Sequence, residues 1–139
     1  RDALAAAPEV REGDVEDLAV ADAVSRHVRG AAHGDDLRFL LDVEGRMLVL
    51  GERGFAIHRD GWPRLLAARD DGAAAALLRA VLLSAPPGGS VVVDFMTAGQ
   101  DWAVRICLDA GLALSPGGPL FVRGSPGPLR PYLPSGAFL

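Results

Sequence analysis

Three side chains in this sequence stand out as candidates to move a proton or attack a carbon: His58, Asp94 and Cys107. His58 lies in the run Gly54-Phe55-Ala56-Ile57-His58-Arg59, whose alternation is that of a strand. An imidazole titrates close to working pH, so it accepts a substrate proton if it faces a cleft; on the solvent face of a hairpin it is only a polar residue. Asp94 interrupts the apolar run Ser90-Val91-Val92-Val93-Asp94-Phe95. A carboxylate there must be hydrogen-bonded, paired or exposed at the strand end, the last being a place where function resides. Cys107 is the only cysteine, which excludes an internal disulfide and a CxxC metal pair. His27 and His33 bracket a loop with no further donors at ligand spacing, so they read as surface residues and no metal site is expected.

The elements that must position these groups follow from periodicity and turn chemistry. Pro8 to Gly13 reads as a strand, and Asp14 caps a helix carrying Leu18, Val20, Ala21 and Val24. Gly30 to Gly34 breaks it. Asp35 or Asp36 then caps a short helix with Leu37, Phe39, Leu40 and Leu41. Arg46 to Glu52 and Gly54 to Arg59 form a hairpin, and Asp60-Gly61 turns the chain into a third run, Pro63 to Arg69. A helix spans Ala73 to Ser84 and stops at Pro86-Pro87-Gly88-Gly89. Ser90 to Phe95 is the strongest strand pattern and reads as a central strand covered on both faces. An amphipathic helix runs from Gln100 to Ala110 and ends at Gly111. Leu112–Leu114 and Leu120–Arg123 are expected to close the sheet as a hairpin around Ser115 to Pro119. The expectation is an α/β chain with a mixed sheet of about seven strands and about four helices. Residues 1–124 make one domain and 125–139 an extended Pro/Gly-rich tail anchored by Tyr132 and Leu133.

The 139 residues suit a single domain able to bury a core. A net charge of -4 without any Lys/Arg cluster argues against a nucleic-acid partner. No apolar run reaches the length of a membrane span, Arg1-Asp2-Ala3 does not open a secretory signal, and the cysteine usage suits a reducing compartment, so a cytoplasmic location is expected. Arg1 rather than Met stands first, as expected of residues taken from a longer polypeptide. Trp62 and Trp102 read as anchors of a core or an interface.

The element order resembles that of the GNAT N-acetyltransferase fold, and two local patterns sharpen the resemblance. Arg69-Asp70-Asp71-Gly72-Ala73-Ala74, followed by Leu77-Leu78, is in frame with the family's Q/R-x-x-G-x-G/A loop and helix. Gln100, Ala103, Cys107 and Gly111-Leu112 stand where the family shows Asn, Ala, Tyr and Gly-Phe; the spacing is kept and the chemistry is not. Gln100-Asp101-Trp102-Ala103, Phe121-Val122-Arg123-Gly124 and the ending Pro131 to Ala137 further resemble the C-terminal domain of tandem GNAT proteins.

The resemblance implies acetyl transfer from acetyl-CoA to an amine. Arg69, Gly72, Ala73, Ala74 and Gln100 would hold the cofactor, the backbone N–H groups of a helix N-terminus facing the pyrophosphate. It places Cys107 where a Tyr would protonate the leaving thiolate, with His58 and Asp94 as further catalytic candidates; from the residues themselves Cys107 reads first as a small buried packing residue and only second as a catalytic thiol. Asp70 and Asp71 suit a helix start but oppose an arriving pyrophosphate. Two functions are therefore expected. One is an N-acetyltransferase domain, degenerate here, beside an N-terminal GNAT domain of the same polypeptide. The other is a non-catalytic GNAT-like module that completes a partner's amine pocket or forms a homo-oligomer interface. The acceptor amine has no signature in the sequence.

Overall fold

A computed structural model of the chain describes Leu4 and residues 7–136. Ala137, Phe138 and the Leu139 carboxylate, included in the expected tail, lie outside the described residues. Five antiparallel strands lie side by side in chain order: β1 (Arg11–Gly13), β2 (Arg46–Leu50), β3 (Gly54–Arg59), β4 (Trp62–Ala68) and β5 (Tyr132–Leu133). The helices are α1 (Leu18–Arg29), α2 (Asp35–Glu44), α3 (Asp71–Leu83) and α4 (Asp101–Asp109).

The three central strands are apolar on both faces because both faces are covered. Met47, Val49, Phe55, Ile57, Leu65 and Ala67 point to one side, where Ala21, Val24 and Val28 of α1 and Leu37 and Leu40 of α2 meet them. Their neighbours Leu48, Leu50, Ala56, Leu66 and Ala68 point to the other side, against α3 and α4. A period of two thus feeds two cores. Helix α3 sits very close to the sheet because Ala73, Ala74 and Ala76 present little bulk. At Gly54, an added Cβ would lie 2.8 Å from Leu77 Cδ1 and 2.9 Å from the Ala68 Cβ, so no larger residue fits.

Local signals set the element ends. Asp14 accepts from the Glu16 amide (2.8 Å), and Asp17 returns a bond to the Asp14 amide (3.1 Å), a reciprocal cap on the single 3-10 turn that leads into α1. Gly30 ends α1 with φ 82°, donating to the Arg26 carbonyl. Asp70 caps α3 through the Ala73 amide (2.9 Å).

Several expected elements differ. Helix α3 begins at Asp71 rather than Ala73, and β1 is confined to Arg11–Gly13. Ser90–Phe95 is not a strand, although Val91 and Val93 pack against the α3–α4 core. Leu112–Leu114 and Leu120–Arg123 do not form a closing hairpin and lie largely exposed. The sheet among the described residues therefore has five strands, not seven. The physical reason is the fate of the β4 edge. It is taken by the tail: Leu66 pairs with Leu133, Ala67 with Tyr132, and the Ala68 N–H donates to the Pro131 carbonyl (3.3 Å). Strand propensity without a free edge at that place leaves extended chain.

Candidate functional site

The N-terminus of α3 is where the sequence places an anion cradle. Gly72 is exposed there, while Ala73 and Ala74 are fully buried. The Ala74 amide bonds to the Asp70 carbonyl (3.1 Å), inside the helix ladder. The Ala73 amide bonds to the Asp70 carboxylate. That carboxylate is gripped in turn by Arg53, whose Nη2 and Nε donate to its two oxygens at 2.7 and 3.1 Å. Arg53, the Ala73 amide and the Gly72 amide together hold the Asp70 carboxyl below the ordinary carboxylate range. A Cβ built on Gly72 would meet Asp70 Oδ1 at 3.2 Å, so the space over the glycine belongs to this internal anion. Arg69 points elsewhere, donating from Nε to the Glu52 carbonyl (3.0 Å) in the β2–β3 turn.

Gln100 is not on that surface. It is buried, 1% exposed, and its amide is a four-way bridge. Its oxygen accepts from the Trp102 indole (2.9 Å) and the Tyr132 amide (3.2 Å), while its nitrogen donates to the Leu129 carbonyl (2.9 Å) and Thr97 Oγ1 (3.3 Å). The cofactor assignment of Gln100 gives way to an anchoring role, because no amide proton or lone pair is left pointing outward.

The three catalytic candidates are not linked to one another by any described hydrogen bond. Cys107 is buried among Leu77, Leu78, Trp102 and Ile106 in the α3–α4 core, and that burial pushes its thiol up to about 11. Its thiol is therefore held neutral among apolar neighbours. His58 faces neither a cleft nor solvent: it is fully buried, with Nδ1 3.3 Å from Ser84 Oγ at the end of α3 and Nε2 without a described partner. Burial lowers it from 6.5 to about 4, with Arg46 pushing the same way, so it is neutral at neutral pH. Asp94 is half-buried in the extended segment after α3.

The sequence missed a second buried histidine. His33, read as a surface residue, lies 6% exposed between Ser25 of α1 and Tyr132 of β5. The signal available was Asp22, whose carboxylate accepts from the His33 and Gly34 amides (3.1 and 3.0 Å) and folds the α1–α2 loop inward. Trp62, half in solvent, carries the Arg64 guanidinium 4.5 Å over its ring, and Trp102 is buried.

Two shallow grooves border these elements. One, about 290 Å³, is lined by apolar and small residues including Leu82, Pro86, Val91 and Leu112; the other, about 450 Å³, runs between α3 and α4 with Asp71, Arg79, Asp101 and Arg105 on its walls. Among the described residues no helix is long and apolar enough to cross a membrane, and no three potential metal ligands cluster. No family model, curated protein or solved structure matches this chain.

Proposed function

We propose that this chain is a GNAT-like module that does not itself carry acetyl transfer and serves an N-acetyltransferase through contact. It completes the amine pocket of a partner domain or forms an oligomer interface. The observation that carries this reading is the occupied cradle at α3: Asp70 supplies the negative charge that the helix N-terminus favours, and Arg53 neutralises it. A pyrophosphate arriving there would have to displace a carboxylate already bonded to the amide and the guanidinium it needs.

The candidate acid and base support the same reading. A neutral, core-packed Cys107 thiol is poorly placed to deliver a proton to a leaving thiolate, and a fully buried His58 is out of reach of an incoming amine. Exposed apolar side chains concentrate between Val92 and Val122, with Phe121 87% exposed, and they offer the surface for contact. Direct transfer from acetyl-CoA on this domain is the second reading, favoured by the exposure of Gly72 at the mouth of α3.

Calorimetric titration with acetyl-CoA separates the two. The contact reading expects no saturable heat at millimolar ligand. Binding in the low micromolar range that weakens in Gly72→Glu would replace it with the catalytic reading.

A further inference from the structure

The stretch Leu129 to Ser135 of the tail runs along the β4 edge of the sheet and is fixed at both faces of the molecule. Tyr132 enters the core under α1 and α2, Leu133 the core under α3 and α4. The Leu129 amide donates to the Val28 carbonyl (2.8 Å) near the end of α1, and Gln100 holds Leu129 and Tyr132 from the start of α4. A two-residue strand contributes little ladder of its own. Most of its hold is therefore in side chains.

One of those holds is directional. Ser25 Oγ donates to the Ala21 carbonyl (2.8 Å), so toward His33 Nδ1 (2.9 Å) it is an acceptor. Nδ1 therefore carries the imidazole proton, and Nε2 is the lone pair that accepts from the Tyr132 hydroxyl (3.3 Å). Tyr132, His33, Ser25 and Ala21 form a single chain of neutral hydrogen bonds. All of its side chains are buried. A second proton on the imidazole reverses its last link. Nε2–H would then point at the phenol oxygen, and the phenol proton would lose its described acceptor.

The charges facing His33 do not rescue the cation. Asp22 of α1 and Asp36 of α2 favour it, Arg29 of α1 opposes it, and Tyr132 on β5 brings no charge, its own hydroxyl raised to about 12 by burial. Desolvation dominates and holds the imidazole down at about 4.

We propose that residues 129–135 form a latch over the β4 edge, closed while His33 is neutral and opened when His33 is protonated. Opening bares the Leu66–Ala68 backbone, an unpaired edge ready to accept an extended chain. The latch stands independently of the proposed acetyltransferase relationship.

Tyr132 is the only tyrosine, so a chain carrying ¹³C-labelled tyrosine reports the latch through one ring resonance set. Between pH 7.5 and 4 that resonance should move to the position of a solvated tyrosine while core methyl signals stay dispersed. His33→Gln keeps an acceptor for the phenol without a titrating group and should lose the transition; His58→Gln should keep it. The imidazole signal of His33 should titrate below pH 5. A Tyr132 resonance that stays fixed until the whole chain unfolds overturns the latch. A transition unchanged in His33→Gln, or a His33 titration near 6.5, overturns it as well. Should His33→Gln not fold, the His33 titration in the wild-type chain decides alone.

Discussion

Gln100→Leu keeps the volume of a buried side chain and removes its amide. Four groups lose their partner: the Trp102 indole N–H, the Tyr132 N–H, the Leu129 carbonyl and Thr97 Oγ1. A buried polar group left unpaired costs about 1–3 kcal/mol. The Trp102 indole is fixed in α4 and cannot reach water without disturbing the core, so its cost falls on the whole fold, about 2 kcal/mol. Leu129 and Tyr132 belong to the tail, which can lift away. Their combined cost is of the same order as burying Tyr132 and Leu133, about 2 kcal/mol each, so the tail should stand close to balance between docked and free. The expected outcome is a urea midpoint lowered by about 2 kcal/mol of stability, read by tryptophan fluorescence. Amide exchange at Tyr132 and Leu133 should become much faster than in the sheet centre. Acetyl-CoA titration should match that of the wild type. A stability change under about 0.5 kcal/mol with the tail still protected would refute the anchoring argument, and a selective loss of acetyl-CoA binding would return Gln100 to a cofactor role.

Other perturbations follow from the same geometry. His58 has a folded pKa of about 4 against 6.5 when unfolded, so the unfolded state takes up more protons as the medium acidifies. The stability that neutral His58 provides is full above pH 6.5 and is lost as pH falls to about 4. The loss is about 3 kcal/mol, and His58→Gln should remove that part of the slope in pH-dependent urea melts. Cys107, pushed from 9.0 to about 11, carries about 100-fold less thiolate at pH 8 than an exposed cysteine, so the native chain should resist a thiol reagent that modifies the urea-unfolded chain at once. Asp70→Ala removes the α3 cap and should cost about 1 kcal/mol in thermal or urea melts. It also vacates the α3 amides, so weak pyrophosphate binding should appear by calorimetry in the variant and not in the wild type.

The first half of the fold was legible and the second was not, for a definite reason. From Asp14 to Leu83 each element is specified locally, by Asp14 capping the turn before α1, Asp70 capping α3, Gly30 and Gly45 past helix ends, and alternating apolar residues between short turns. Helix α2 differs from expectation: Gly34 stands at its cap position, and neither Asp35 nor Asp36 caps it. Consecutive strands pair with their sequence neighbours, so the local pattern is the whole instruction. After Pro86 it is not. Val91-Val92-Val93 has better strand chemistry than Tyr132-Leu133, yet the latter holds β4. The choice is made by Gln100 and His33, which lie about thirty and a hundred residues from Tyr132 in sequence. For the site, the loop Arg69–Ala74 was found at a helix start as expected, but its partner Arg53, seventeen residues upstream, could not be paired with Asp70 by spacing alone.

The same competition links the fold to the functional reading. An open sheet has two edges, and here β1 is one and the two-residue β5, laid on β4, the other. Were Ser90–Phe95 paired with β4, Asp94 would sit in the sheet. Instead a two-residue strand seals β4 beside α3, and Asp70 with Arg53 seals the helix end. Neither closure uses apolar burial alone: one depends on a carboxylate staying ionised, the other on an imidazole staying neutral. Both conditions hold together only above the His33 titration; below it the imidazole is charged while the Asp70 carboxylate is still ionised, so acid loosens the tail before it frees the cradle. The order of the two events is itself informative. The Tyr132 environment should change at higher pH than the Arg53–Asp70 pair separates, because the first needs one proton on a base and the second one on a carboxylate held below its ordinary range.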